Sequence, residues 1–367
     1  MHTPRLSRLV AGAAAALAIT AAFVQPARAA SDDHNNAPSV SQVYEATNAA
    51  TGNAIQVFER ASNGTLSVGA LVPTGGLGAG SSLGSQGGVT RDGDRLLVVN
   101  GGDNTVTSFA ITNHGLVRRD VEPSGGVHPV SVTVNADVVY VLNSGSDAIT
   151  GFRLSQRGDL RPIAGSARAL SATGTGAAEV QFNRNGDALV VTEKTTNKID
   201  TFAVGGQGLI TGVTVTNSVG VVPYGFDIDR RDHVIVSEAA TGSASSYQLH
   251  DGSLNVISGS VVDTQGAPCW LIASRDGRFA FTTNAASGTI SSYRIARDGS
   301  LTLLAAVAGT PGTGPTDVAQ SGDGQFLYAR VRNGDVAAFA VGVDGSLTSL
   351  GTVTGATSIG SSGLAAS

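Results

Sequence analysis

Hydrophobic and polar positions alternate along short segments of this chain, and glycine-containing turns separate the segments. Within residues 275–304, the stretches 279–283 and 289–295 alternate as half-buried strands do. Asp-Gly pairs stand before and after these two stretches, at 276–277 and 298–299, and such pairs favour tight hairpin turns. With a further strand on either side, at 269–274 and 300–304, the pattern predicts a sheet of four antiparallel strands.

This unit recurs along the chain, and each copy carries one aromatic residue after a small or β-branched position. The seven aromatics are Phe58, Phe109, Phe152, Phe202, Tyr247, Tyr293 and Phe339. They lie 43 to 51 residues apart, which is the length of a propeller blade and too long for a leucine-rich, ankyrin or tetratricopeptide repeat. The sequence therefore predicts an all-β fold, a seven-bladed β-propeller of four-stranded antiparallel blades.

The two ends of the chain indicate how the ring closes. The first repeat starts with its second strand, around 43–46, and no innermost strand precedes it. The last repeat continues past 347–354 into residues 364–367, which resemble the innermost strands of other repeats. We predict that this C-terminal strand completes the first blade.

The N-terminal residues have the pattern of an export signal. Two arginines precede an apolar run at 9–24, and a small-x-small motif follows at 27–29. We predict a signal peptide at 1–29, cleaved after Ala29, a flexible segment at 30–39 and the propeller at 40–367. The mature protein would then be secreted or periplasmic without a membrane span, and a permanent membrane anchor is the alternative.

Composition narrows the function classes. Only 14% of residues are charged, the net charge is −5, and no basic run follows the predicted signal, so nucleic acid is not expected as a partner. A single cysteine, Cys269, excludes an internal disulfide, and we expect it to be buried and inert. No Cys/His cluster or Asp-rich loop has ligand spacing, so neither a metal nor another cofactor is expected. We expect a monomer.

Propellers bind ligands over the central channel, where the loops that enter the innermost strands meet the loops between second and third strands. The candidate catalytic residues on these loops are Glu179, His128, Glu193 and Glu238. The candidate ligand-binding residues are Trp270, Tyr224, Gln86, Asp317, Lys194 and Arg330. Within one concavity they would offer carboxylates, an imidazole, an indole and a phenol.

The acidic candidates each have a functional and a structural interpretation. Glu179 ranks first, as a general base that activates water, and the alternative is a structural carboxylate that pairs with Lys194 or with an entry-loop amide. Glu193 and Glu238 end two adjacent second strands, so they either flank one ligand or hydrogen-bond to neighbouring blades. His128 either donates to a developing oxyanion or holds a strand start.

The repeats also resemble a known family. The stretches DGRFAFTTNAASGTISSYRIARDGSLTLL, NGDALVVTEKTTNKIDTFAV and VPYGFDIDRRDHVIVSEA resemble the seven-bladed lactonases, which include bacterial 6-phosphogluconolactonases and carboxymuconate-lactonizing propellers. The resemblance implies hydrolysis of a lactone and a place in carbohydrate metabolism. The stretch VYVLNSGSDAITGF is similar to YVTN-type repeats of surface proteins. Where the family's enzymes carry a histidine at the start of central innermost strands, this chain has Glu179 and Tyr224.

Two function classes therefore stay open. One is a lactonase-like hydrolase acting on an uncharged or carboxylated lactone or a sugar-like ligand. The other is a non-catalytic extracellular propeller that binds a protein or cell-surface partner. Trp270, the only tryptophan, either stacks on a sugar or aromatic ring of a ligand or wedges between blades.

Overall fold

A computed structural model describes residues 41–355, 360 and 362–367. The regular secondary structure of these residues consists of β-strands. The strands form six four-stranded sheets and one five-stranded sheet. No helix among them has the length and apolar character to cross a membrane. The predicted signal peptide at 1–29 and the segment 30–39 lie outside the described residues.

Each sheet is one blade, and blades are numbered here in chain order. Blade 1 contains β1 (Gln42–Ala46), β2 (Ala54–Arg60), β3 (Leu66–Pro73) and β29 (Leu364–Ala366). Blade 2 contains β4 (Val89–Asp92), β5 (Arg95–Asn100), β6 (Thr105–Thr112) and β7 (Gly115–Pro123). Blade 3 contains β8 (Pro129–Asn135), β9 (Val138–Asn143), β10 (Ala148–Leu154) and the short outer strands β11 (Leu160–Pro162) and β12 (Arg168–Ala169).

The remaining blades have four consecutive strands each. Blade 4 contains β13 (Ala177–Phe182), β14 (Ala188–Glu193), β15 (Lys198–Val204) and β16 (Ile210–Asn217). Blade 5 contains β17 (Pro223–Ile228), β18 (His233–Glu238), β19 (Ser243–His250) and β20 (Ser253–Val262). Blade 6 contains β21 (Pro268–Ala273), β22 (Phe279–Asn284), β23 (Thr289–Ile295) and β24 (Leu301–Gly309). Blade 7 contains β25 (Pro315–Gln320), β26 (Phe326–Val331), β27 (Asp335–Val341) and β28 (Leu347–Thr354).

Burial follows from the position of each strand in its blade. In blade 6 the second strand, β22, is buried along its whole length, and the outermost strand, β24, is only partly buried. The seven repeat aromatics all lie on third strands and are fully buried, as their recurrence predicted. They fill the space between neighbouring blades because both faces of a blade are covered by other blades.

The C-terminal strand closes the ring as predicted. β29 pairs antiparallel with β1, with Val43 opposite Ala366 and Glu45 opposite Leu364. The Ser367 backbone N–H extends the pairing by donating to Gln42 O at 2.9 Å. Blade 1 is therefore made from both ends of the described chain, which gives β1 a partner on each side.

The innermost strands surround a central channel. They are β29, β4, β8, β13, β17, β21 and β25. Each contacts the next around the ring, and the contact of β29 with β4 completes the circle. We call the end where these strands begin the entry end and the end where they finish the exit end. Side chains that point inward from successive blades are thus brought together from distant parts of the sequence.

Candidate active site

The entry end of the channel is crossed by residues 85–87, which we call the plug. Its backbone bonds to two other blades, because the Gln86 N–H donates to Ala178 O at 3.1 Å and Gly87 O accepts the Val132 N–H at 2.9 Å. The Gln86 side chain reaches farther and donates to Leu271 O at 2.8 Å. The plug, from blade 2, therefore contacts blades 3, 4 and 6 and blocks this end of the channel.

Three predicted ligand-binding residues lie beside the plug and the residue that precedes it. The Trp270 indole N–H donates to Ser85 O at 2.8 Å, and the Lys194 ammonium donates to Gly84 O. Tyr224 lies between them, with its ring centroid 5.2 Å from that of Trp270 and 4.9 Å from Lys194 Nζ. Burial lowers the pKa of Lys194 to about 8. These side chains are thus engaged with the protein itself.

A cavity of about 450 Å³ opens at the exit end, and we call it the exit cavity. It is lined by inward-facing side chains of four innermost strands and by residues that follow three of them. Those used below are Arg91, Thr133, Glu179, Gln181, Arg184, Asp227, Arg230 and Arg275. A narrower space of about 180 Å³ adjoins it toward the plug, and Gln86 and Asp317 line that space.

Glu179 occupies the deepest acidic position of the exit cavity. Its side chain is almost completely buried, and Oε2 accepts the Phe226 backbone N–H at 2.8 Å. Burial raises the pKa of Glu179 well above that of an ordinary glutamic acid, and the nearby carboxyls of Asp227 and Asp317 raise it further. The channel thus holds an acid that binds its proton tightly.

Asp227 was not among the residues selected from the sequence. It lies on β17 two positions after Gly225, and its Oδ1 accepts a hydrogen bond from Gln181 Nε2 at 3.1 Å. Its Oδ2 accepts the Ala273 N–H at 2.9 Å. Burial raises its pKa, and these bonds oppose the shift. The register shift between Pro223 and Phe226 breaks the alternation near the strand start, so counting from Tyr224 misses Asp227, whereas counting from Gly225, which faces Gln86, reaches it.

Asp317 is the third channel carboxyl. Burial raises its pKa to about 7, and hydrogen bonds from the backbone N–H groups of Val318, Gly363 and Leu364 oppose the shift. Arg330 lies close by and is itself buried, with Nε 2.8 Å from Glu45 Oε1 and Nη1 2.9 Å from Thr316 Oγ1. Asp317 is thus tied to the strand that closes the ring.

Comparisons with known proteins agree with this architecture. The family model for the lactonases with a seven-bladed β-propeller matches residues 165–256 and 233–323. The chain folds as a seven-bladed β-propeller, and its residues 165–323 resemble the lactonases of that fold. A comparison with curated proteins finds no match.

Two solved structures show the extent of the likeness of this propeller. The periplasmic gluconolactonase PpgL of Pseudomonas aeruginosa is 16% identical with a TM-score of 0.70, over 89% of this chain and 98% of that one. A protein from Lactobacillus plantarum is 15% identical with a TM-score of 0.73, over 89% of this chain and 98% of that one. At these identities the likeness concerns the fold.

Two further predicted catalytic residues lie at the ends of second strands. Glu193 accepts the Ser171 N–H at 3.0 Å and the Ser171 hydroxyl at 2.6 Å. Glu238 accepts the hydroxyls of Ser218 and Ser245 at 2.6 and 2.7 Å. Each carboxylate therefore joins its second strand to the loop that precedes the innermost strand of its own blade.

Asparagine takes this same position in blades 2, 3 and 6. Asn143 shows the shared role, because its amide donates to Ser124 O and to the Thr150 hydroxyl. Asn100 and Asn284 likewise donate to hydroxyls of the adjacent third strand. In these blades the residue at this position, whether glutamate or asparagine, attaches a neighbouring loop or strand to the second strand.

His128 lies apart from the exit cavity. Its Nδ1 is 3.2 Å from Gly101 O, and its backbone N–H donates to Asn104 Oδ1 at 2.7 Å. Its φ of 55° is in the left-handed region, where the residue begins strand β8 by way of Pro129. Of the four predicted catalytic residues, Glu179 is the one that the structure brings to the channel with Gln86 and Asp317.

Proposed function

We propose that this propeller hydrolyses a lactone ring in the exit cavity, with water activated by Glu179. The observation that carries the proposal is a buried carboxyl of raised pKa lining a cavity of ligand size in a propeller whose residues 165–323 resemble the lactonases. Cavities of about 300–1,000 Å³ hold small organic ligands. The plug occupies the opposite end of the channel, so the substrate enters from the exit end.

Glu179 acts first as a base and then as an acid. The water oxygen forms a bond to the lactone carbonyl carbon, and the Glu179 carboxylate accepts the proton that this water loses. The ring C–O bond then breaks, and the alkoxide oxygen takes that proton from Glu179. The product is an open hydroxy acid, and Glu179 returns to its starting state. The raised pKa makes Glu179 a stronger base than an exposed glutamate.

Thr133 is suited to hold the carbonyl oxygen during this reaction. Its hydroxyl lines the exit cavity and accepts the Phe182 N–H at 3.1 Å. Since the hydroxyl accepts that bond, its own proton remains available for an oxygen that gains charge in the transition state. Asp227 acts on the reaction through Glu179, because the negative charge of Asp227 raises the pKa of Glu179.

The pH dependence of the reaction follows from the raised pKa. Glu179 must lose its proton to act as a base, so we expect kcat/KM to rise with pH. The midpoint of this rise should lie well above 4.5, the ordinary pKa of a glutamic acid. A rate profile from pH 4 to pH 9 measures it, and a midpoint near 4.5 would count against Glu179 as the base.

A panel of lactones followed by pH-stat tests the activity. We expect Glu179→Gln to lower kcat by about 100-fold or more, because general-base catalysis contributes about that much. Glu122→Gln, on the outermost strand β7, is the matched control and should retain the parent rate. Thermal melting of both variants shows that they fold. Hydrolysis that survives Glu179→Gln removes the assignment, and no hydrolysis of any lactone favours a binding propeller.

We also propose that the protein is exported through the signal at 1–29 and works outside the cytoplasm as a monomer on a small molecule. The periplasmic location in the name of the Pseudomonas aeruginosa relative supports export. N-terminal sequencing of protein recovered outside the cytoplasm should give a mature chain that begins after Ala29, and a mature chain that begins at Met1 would contradict it.

A further inference from the structure

Four arginines from four different blades line the exit cavity. Arg91 lies on β4, and Arg184, Arg230 and Arg275 each stand two residues after the end of another innermost strand. All four stand at the hairpin turns that lead from first to second strands. The ring geometry gathers them at one opening, although more than 180 residues separate the first from the last.

These guanidinium groups are not held by hydrogen bonds in the part of the chain that the structure describes, although the charge of Arg275 acts on Asp227. None of the four forms an ion pair, and none donates a side-chain hydrogen bond. Arg91 Nε is shielded from solvent without an acceptor. Other arginines are paired, such as Arg330 with Glu45 at 2.8 Å and Arg153 with Asp137 at 2.8 Å. A shielded guanidinium without an acceptor is costly, so a ligand that supplies one is stabilising.

The acidic residues of the same cavity neutralise the arginines only in part, although Asp92 also lines the cavity and the charge of Arg275 lowers the pKa of Asp227. Asp229 is paired with His233 at 2.8 Å, and Asp227 accepts bonds from Gln181 and two backbone N–H groups. Glu179 lies deep and holds its proton tightly. The opening therefore offers four guanidinium groups whose N–H donors form no hydrogen bond to the described residues, although the whole chain carries a net charge of −5. A local cluster of this kind attracts anions independently of the net charge.

We propose that this arginine mouth, formed by Arg91, Arg184, Arg230 and Arg275, is an oxyanion-binding site for a small organic anion with carboxylate or phosphate groups. Guanidinium groups bind both chemistries through paired N–H donors. The cavity of about 450 Å³ has room for such a molecule. The site goes beyond the proposed function, since binding of an anion there requires no hydrolysis.

Calorimetric titration with inorganic phosphate and, separately, with citrate tests the site. At low ionic strength we expect one-to-one binding of at least one of the two anions. The double variant Arg91→Gln/Arg275→Gln should bind it at least about tenfold more weakly, because two charge-assisted contacts are lost. Binding should also weaken in 0.5 M salt, where exposed charges are screened.

The exposed Arg161 of strand β11 offers a matched control. Arg161→Gln removes the same charge outside the cavity and should leave the affinity within about twofold of the parent. Arg275→Gln alone, at an exposed position, tests the site if the double variant melts early. Binding of phosphate alone or citrate alone identifies the ligand chemistry. Binding of neither, or an equal loss in Arg161→Gln, overturns the proposal.

The outcome is separable from that of the proposed function. The titrations contain no lactone, so anion binding without lactone hydrolysis supports the arginine mouth and contradicts the proposed reaction. Hydrolysis of uncharged lactones without anion binding supports the proposed reaction and contradicts the arginine mouth.

Discussion

Glu193 and Asp200 form a buried carboxyl pair in blade 4. The Ser171 backbone N–H donates to both, at 3.0 Å to Glu193 and 2.9 Å to Asp200. Burial raises the pKa of Asp200 to about 7, and its contact with Glu193 raises it as well. Two carboxyl groups this close to each other share a proton because both cannot be ionised cheaply.

The pair makes stability depend on pH. Between about pH 4 and pH 7 Asp200 is protonated in the folded state and ionised in the unfolded state. Its stabilising contribution is therefore complete below about pH 4 and is lost as the pH rises through about 7. Asp200→Asn cannot ionise, so we expect it to reduce this slope and to stabilise the protein at pH 8 by on the order of 1 kcal/mol.

Urea unfolding at pH 5 and pH 8 measures the effect. Asp94→Asn, at an exposed turn, is the control and should keep the slope of the parent. If Asp200→Asn shows the same pH dependence as the parent, the shared proton is not in this pair.

At the scale of elements, the plug depends on one glycine of strand β17. A Cβ at Gly225 would lie 2.1 Å from Gln86 Oε1 and 2.8 Å from Cys269 O. The absence of a side chain there lets Gln86 pass across the channel and accept the Leu271 N–H at 2.9 Å. The plug and blade 5 are therefore fitted to each other.

We expect Gly225→Ala to destabilise the fold by about 2 kcal/mol, because overpacking of a filled site has that cost. Adding Gln86→Ala removes the closer contact, so the double variant should be less destabilised than the sum of the two single variants. Urea unfolding of all four proteins gives the coupling. Gly212→Ala, whose Cβ would meet only Ala203 at 3.8 Å, is the control. If the losses in the free energy of unfolding of the two single variants simply add in the double variant, Gly225 and Gln86 are not packed against each other as described.

At the scale of the whole molecule, three buried residues of β29 hold the ring together. Their loss would expose an edge of β1 and remove the backbone N–H groups of Gly363 and Leu364 from Asp317. Because a propeller is stabilised by contacts around a closed circle, one missing strand weakens both neighbouring blades.

Deletion of residues 360–367 should lower the melting temperature by on the order of 10 °C. Scanning calorimetry measures the change, and a synthetic peptide of residues 360–367 should restore part of it by refilling the groove. A truncated protein that melts with the parent would contradict the role of β29 in closing the ring.

The repeat determined the fold, and this could be read from the sequence. Alternation, Asp-Gly turns and the recurring buried aromatics are local signals, and each blade repeats them. The overshooting C-terminus predicted the closure of blade 1 for the same reason, since its residues resemble an innermost strand. The sequence also singled out Glu179, which does face the channel.

Only the tertiary structure decided which end of the channel is open. The entry loops were the expected site, but Gln86 crosses that end, and its partner carbonyl on Leu271 lies 185 residues away. Arg91 and Arg275 both line the exit cavity, although they are also far apart in the sequence. Periodicity fixes which face of a strand is inward, whereas the contacts across the channel depend on how seven blades meet around one axis.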